Sequence, residues 1–197
     1  QQVNQHAVVV LGIPYAQLAK QGHRPRAGRS IAPDIAVGQA AFHAQAHLAA
    51  VARFAGGHLA LVTALRLKAA HTWQPAQLVL IYPMLDATAS SESHKVNGFD
   101  YVLTSDTLVS GFDAYCPHTE FTHPEVSPIL RDDFLGLPPV HIVTAEYDPL
   151  RDEGEMLFER LTQQGVNCTA QRYVGVIHGF FQLGGISQTR SEERRVG

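Results

Sequence analysis

Cysteine, methionine and tryptophan are scarce in this chain, with 2, 2 and 1 among 197 residues. Cys116 and Cys168 lie far apart in sequence and are too few for a disulfide framework or a zinc knuckle. They read as ordinary thiols of a reducing compartment. Charge of one sign is missing too: Lys and Arg total 15 against 18 for Asp and Glu, a net charge of −3. No field of that size draws nucleic acid or an anionic membrane to the surface, so neither is expected as a partner. No apolar run approaches the roughly 18 residues of a membrane span, and no basic-then-apolar leader opens the chain. The expectation is a cytoplasmic protein whose first residue here, Gln1, is not its true beginning. What is present is a 45% hydrophobic fraction with only 17% charged residues, enough to bury one sizeable core.

The pattern of that apolar content is clear after Ala55. In "VARFAGGHLALVTALRLKAA", Leu59, Val62, Leu65 and Ala69 recur at helical steps behind the paired Gly56 and Gly57. Two glycines just inside a helix cost it about 1 kcal/mol each and mark a tight turn or a close backbone approach. "LVLIYPMLD", Leu78 to Asp86, is a continuous apolar run of the kind buried on both faces of a parallel sheet. "PPVHIVTAEYDPL", Pro138 to Leu150, repeats it. Between them, Ser90 to Leu137 is a polar, proline-dotted excursion with a helix expected from Ser105 to Tyr115. A helix from Asp152 through Gln164 stops at Gly165, "VNCTAQRYVG" follows as a strand, and "VIHGFF" as the loop after it. That order predicts a doubly wound α/β sheet, whose functional groups gather at the C-terminal ends of its strands.

Asp148 and His178 stand at two such ends, thirty positions apart, in "AEYDPLRDEG" and "VGVIHGFF". A carboxylate bonded to a histidine ring nitrogen fixes the tautomer, orients the ring and stabilises the imidazolium form. Each residue alone has an ordinary explanation, a turn former for Asp before Pro and a surface loop residue for His before Gly. Found together after successive strands, they form a candidate acid–base pair.

"YPMLD", "SPIL", "GLPPVHIVTAEYDPLRDEGEMLFERLTQQGV" and "RYVGVIHGFF" together resemble the C-terminal half of the hormone-sensitive-lipase-like (fold-3) family of α/β-hydrolase esterases. The resemblance covers about Ala55 to Leu183. It implies a partial α/β-hydrolase fold, a mostly parallel sheet with helices on both faces and its early strands missing or garbled. It also implies that Asp148 is the triad acid and His178 the general base. The family's turn before this helix reads Gly-Asp-Ser-Ala-Gly-Gly, with the nucleophilic serine on a strained elbow and the next backbone N–H in the oxyanion hole. Aligned on Ala55, Gly56 and Gly57, the motif puts Ala52 on the first glycine, Arg53 on the aspartate and Phe54 on the serine. Phe54 is therefore a degenerate nucleophile position, and Ala55 the implied oxyanion donor.

Residues 1–53 are a poorly alignable upstream segment that lacks the family's His-Gly-Gly-Gly motif; Ala7 to Ala16 is the one stretch there with strand character. Residues 54–187 are expected to be the C-terminal part of the hydrolase domain. Residues 188–197, with "RSEERRVG", read as a non-native charged tail resembling a translated sequencing adapter.

Three readings follow. The first is a serine carboxylesterase of short-chain esters, inactive as written because a phenyl ring cannot form an acyl intermediate. The second is a natural pseudoenzyme that binds a small apolar ligand or a protein partner. The third uses Cys116 as nucleophile, or a metal, though no His pair shows the helical spacing with a third ligand that zinc sites use. Ester hydrolysis needs no cofactor and no metal, and none is expected. Arg-Phe written CGA-TTC before a G reads GAT-TCG, Asp-Ser, one register over, so a single-base slip beside the elbow interconverts the two. Resequencing the source DNA across Ala50 to His58 is expected to reveal that slip; clean reads that keep Arg53 and Phe54 in frame overturn it.

Overall fold

The computed structural model describes residues 8–11 and 49–182. Most of the upstream segment, and the charged tail at 188–197, lie outside the described residues. Among the described residues, five strands form one parallel sheet in sequential order: β1 (Val8–Leu11), β2 (Ala49–Arg53), β3 (Gln77–Ile81), β4 (Val140–Tyr147) and β5 (Cys168–Ile177). In register, Val10 pairs with Val51, Val51 with Val79, Val79 with His141, and His141 with Thr169. The strand expected within Ala7 to Ala16 is thus β1, at one edge.

Helix α1 (Ala55–Ala69) leaves β2 directly, and α4 (Arg151–Gln163) joins β4 to β5. Their apolar stripes share one cluster: Leu61 and Leu65 from α1, Leu157 and Leu161 from α4, with Ala52, Leu80 and Ile142 from the strands beneath. Helix α4 carries Asp152 and Glu153 in its first turn and Arg160 in its last, as the helix dipole favours. It ends where Gly165 turns left-handed at φ 74°.

The excursion between β3 and β4 holds the expected α3 (Ser105–Tyr115), whose Thr104 hydroxyl accepts the Thr107 N–H at 3.2 Å. It also holds a short α2 (Glu92–Asn97) and a 3₁₀ turn at Pro128–Leu130 that the sequence pattern did not announce. Two boundaries differ from expectation. Strand β3 ends at Ile81 because Tyr82, at φ 39°, turns the chain out of the sheet. Strand β5 runs on through Ile177, past an irregularity where Ala145 pairs with Tyr173 but Tyr147 pairs with Ile177. Two extra residues on β5 make a bulge there, and Gly175, at φ 76°, permits it.

The glycines of α1 have a local explanation in Gly57. A Cβ at that position would stand 2.9 Å from the Pro83 Cβ and 3.1 Å from its Cα, so the helix start lies directly against the chain leaving β3. Gly57→Ala is expected to cost about 1–3 kcal/mol through overpacking. Gly111→Ala on α3, where a Cβ meets nothing within 4 Å, is expected to gain up to about 1 kcal/mol. Urea denaturation of the two variants checks the contrast; equal stabilities would remove the close-approach argument.

Candidate active site

Three strand ends converge on one place. Asp148 follows β4 and is fully buried. Its Oδ1 accepts the Leu150 N–H at 2.9 Å, which closes the turn into α4, and its Oδ2 lies 2.8 Å from His178 Nδ1. His178 follows the bulged end of β5, and its side chain is 12% exposed. The bulge is what delivers it, because a regular strand would carry residue 178 along the ladder instead of turning it toward β4. Two aromatic rings hold the imidazole from its sides: Phe54 edge-on, centroids 5.0 Å apart at 72°, and Tyr82 at 4.5 Å.

Phe54 sits between β2 and α1 at φ 52°, ψ −125°. A non-glycine residue there is strained by roughly 1–3 kcal/mol and persists only where its surroundings hold it. The holding bonds are backbone bonds. The Phe54 N–H donates to the Ile81 carbonyl at 3.1 Å, and the Phe54 carbonyl accepts from Gly57 at 2.9 Å and from His58 and Met84 at 3.3 Å each. Of the first four N–H groups of α1, those of Gly57 and His58 are thereby satisfied, while Ala55 and Gly56 precede any helical acceptor. Two amide donors thus open the helix directly after Phe54. Next to Phe54, the Arg53 side chain is half-buried with its Nε enclosed and without a hydrogen-bond partner among the described residues.

A family model of the alpha/beta hydrolase fold matches residues 34–182. The chain belongs to the hormone-sensitive-lipase-like family of α/β hydrolases. It is 35% identical over 149 residues to the carboxylic ester hydrolase LipN of Mycobacterium tuberculosis, covering 71% of this chain and 39% of that protein. Against the ethyl acetate hydrolase of Pseudomonas putida the identity is 32% over 147 residues, covering 74% and 46%. A solved ester-hydrolase from the metagenome of Lake Arreo, complexed with a bipyridine phosphonate derivative, superposes with a TM-score of 0.70 at 37% identity, covering 75% of this chain and 47% of that one. The chain spans less than half the length of these relatives.

Within this α/β hydrolase, the acid turn is clamped by the short helix α2. Ser93, fully buried, donates its hydroxyl to the Pro149 carbonyl at 2.6 Å, and its N–H goes to the Asp152 carboxylate at 2.7 Å. Asn97 Nδ2 donates to the carbonyls of Glu146 at 3.3 Å and Asp148 at 3.4 Å. The excursion is thereby tied to the residues on both sides of Asp148. Asp86, at the end of "YPMLD", anchors the start of the excursion by accepting from the Thr88 N–H and hydroxyl and from the Ser90 hydroxyl.

The structure therefore brings Asp148, His178, Phe54 and Ala55 to one place. Reading the sequence missed Tyr82, Ser93 and Asn97. Only Tyr82 carried a signal, as the residue before Pro83 at the end of a buried strand. Among the described residues, no group of three or more His, Cys, Asp or Glu is arranged to hold a metal. Both cysteines are free, and burial pushes the Cys116 thiol upward, which works against a nucleophilic thiolate.

Two predictions test this arrangement. Asn97→Ala is expected to cost about 0.5–1.5 kcal/mol, because it removes one of two donors from each of these carbonyls and leaves each with Arg151, and to weaken the downfield NMR signal of the His178 Nδ1 proton. An unchanged signal would mean that α2 does not position the acid. The second concerns pH. Burial lowers the affinity of His58 and His94 for protons, against the pull of Glu125 on the first and of Asp86, Asp148 and Asp152 on the second. Groups held neutral in the native state favour folding above their unfolded value of about 6.5 and lose that contribution as pH falls through the lower native value. Urea midpoints are thus expected to drop below pH 6.5, and the pair His58→Gln and His94→Gln to flatten the slope.

Proposed function

We propose that this chain carries the acid–base half of a serine carboxylesterase site for short-chain carboxylic esters, with its nucleophile position occupied by Phe54. The observation that carries the reading is the 2.8 Å bond between Asp148 and His178 beside a strained strand-to-helix elbow. In this reading residues 54–187 are the C-terminal part of a hydrolase domain. The names of the relatives, among them an ethyl acetate hydrolase, support a small ester as substrate class. Two unpaired thiols suit a cytoplasmic setting.

The chemistry follows from the groups in place. With a serine at position 54, His178 would take the hydroxyl proton as the oxygen attacks the ester carbonyl, Asp148 would steady the imidazolium, and the Ala55 N–H would donate to the oxyanion. The proton then passes from His178 to the leaving alcohol, and water repeats the sequence to release the acid. With Phe54 there is no hydroxyl to deprotonate, so the covalent step is absent and the chain as written is inactive.

A pseudoenzyme is the second reading. It is favoured by the edge-on contact of Phe54 with His178, which fills the place where a serine would meet the base.

Hydrolysis of a chromogenic acetate ester separates the readings. The chain as it stands is expected to match its His178→Ala variant. The triple variant Ala52→Gly, Arg53→Asp, Phe54→Ser is expected to gain slight activity that is lost again on His178→Ala or Asp148→Asn. Loss of one oxyanion donor alone lowers turnover roughly 10²- to 10³-fold, which sets the scale without an upstream glycine motif. Histidine-dependent hydrolysis by the unaltered chain would sink the assignment of Phe54. A cooperative melt together with inertness would favour the pseudoenzyme.

A further inference from the structure

Three carboxyls are buried around the turns that leave β3 and β4: Asp86, Asp148 and Glu153, exposed by 6%, 0% and 1%. Their hydrogen bonding is unequal. Asp86 receives three donors within 2.9 Å, from Thr88 and Ser90, and Asp148 receives the Leu150 N–H and His178 Nδ1. Glu153, in the first turn of α4, has both oxygens enclosed and neither within normal hydrogen-bond geometry of a donor among the described residues; the backbone N–H groups of Leu85 and Asp86 are its nearest donors, and their pull opposes proton uptake without matching the effect of burial.

Beyond the partial positive charge of the α4 N-terminus, the side-chain charges around Glu153 give it no relief. Asp86 lies after β3 and Asp148 after β4, both acidic and both near it. On α2, His94 is close to Asp86 and Asp148, and burial keeps it neutral. On α4 itself, Arg151 is engaged with the Asp152 carboxylate at 2.9 Å and with the Glu146 carbonyl at 3.0 Å. His178 is engaged with Asp148. An ionised carboxylate enclosed with only two loosely placed backbone donors and flanked by two other carboxyls is costly to bury, and such a group takes up a proton instead.

We infer that Glu153 is a positioning residue that stands in the fold as a neutral carboxylic acid, wedged between the Asp86 turn and the Asp148 turn. Asp148 then faces His178 without a negative charge from α4 behind it. Burial first, and the charge of Asp86 second, push the Glu153 carboxyl well above the usual carboxylate range. What this means for the acid–base pair rests on the functional reading above. The proton on Glu153 is a property of the fold and is tested without any activity.

The sign of the effect is fixed by linkage. A native group with a raised proton affinity stabilises the fold below its unfolded value, about 4.3 for glutamate, and loses that contribution as pH rises toward its native value. The ratio of unfolding constants, wild type over E153Q, is therefore expected to climb above pH 4.3 by up to about tenfold per pH unit. The shared histidines cancel in this ratio. A ratio flat between pH 5 and pH 7, about one to three units above that unfolded value, would overturn the neutral acid. Glu153 is the one fully buried glutamate among the described residues, so infrared spectroscopy of glutamate-labelled wild-type protein gives a second test that needs no variant. A neutral carboxylic C=O band at neutral pH is expected, and its absence overturns the inference. The positioning role has its own readout in the His178 Nδ1 proton signal: E153A is expected to shift it and E153Q to restore it. A loss of stability in E153A with that signal unmoved would show a space-filling role only and overturn the positioning claim.

Discussion

The hydrogen bond from the Phe54 N–H to the Ile81 carbonyl ties the end of β2 to the end of β3 at the point where the chain must leave the sheet. With that amide committed and the Phe54 carbonyl bridging Gly57, His58 and Met84, the residue between them has little freedom, and its φ of 52° follows from the bonds on either side. Every other feature of the site is arranged about this turn. Pro83 closes against Gly57 because the chain leaving β3 is pulled in by the same bonds. Tyr82, itself at positive φ and bonded through its N–H to the Val143 carbonyl, lays its ring along His178. The elbow is thus a property of backbone and glycine, and it accepts a phenyl side chain at its tip.

Around the elbow, most of the buried polar side chains come in satisfied sets, with Arg53 Nε, His94 Nε2 and the Glu153 carboxyl set apart from them. Ser93 and Asn97 bind backbone around the acid, Asp86 binds its own loop, and His58 Nε2 reaches the Val126 carbonyl at 3.2 Å. Each such bond contributes only about 1 kcal/mol net, but leaving its buried partner unmet costs more, so these residues specify where the excursion lies. An exposed bidentate pair between Arg66 and Glu125, at 2.6 Å, adds a further tie from α1 to the excursion. It should be weak and screened by salt.

The sheet was legible because buried parallel strands leave apolar runs, and α1, α3 and α4 because their ends carry glycines, acids or a capping threonine. Asp148 and His178 were legible because each ends a run that is easy to see and each is chemically distinct there. Strand β5 was read two residues short, since a bulge breaks the period on which the reading depends. Helix α2 escaped notice for a related reason: "ESHKVN" buries Ser93, His94 and Asn97 and exposes Val96, the reverse of the usual apolar stripe. Glu153 was hidden inside a motif that reads as an ordinary acidic helix start.

Asp148 and His178 come from one contiguous β4–α4–β5 unit, whereas Phe54 reaches them from a separate part of the chain across the long excursion. Local units of this kind close small loops, so they assemble early and tolerate change elsewhere, while the pairing of β3 with β4 must wait for a long loop to close. The acid–base pair is therefore insulated from events at the elbow. A change at residue 54 leaves Asp148 and His178 in register, since their spacing is kept by the folding of a single βαβ unit.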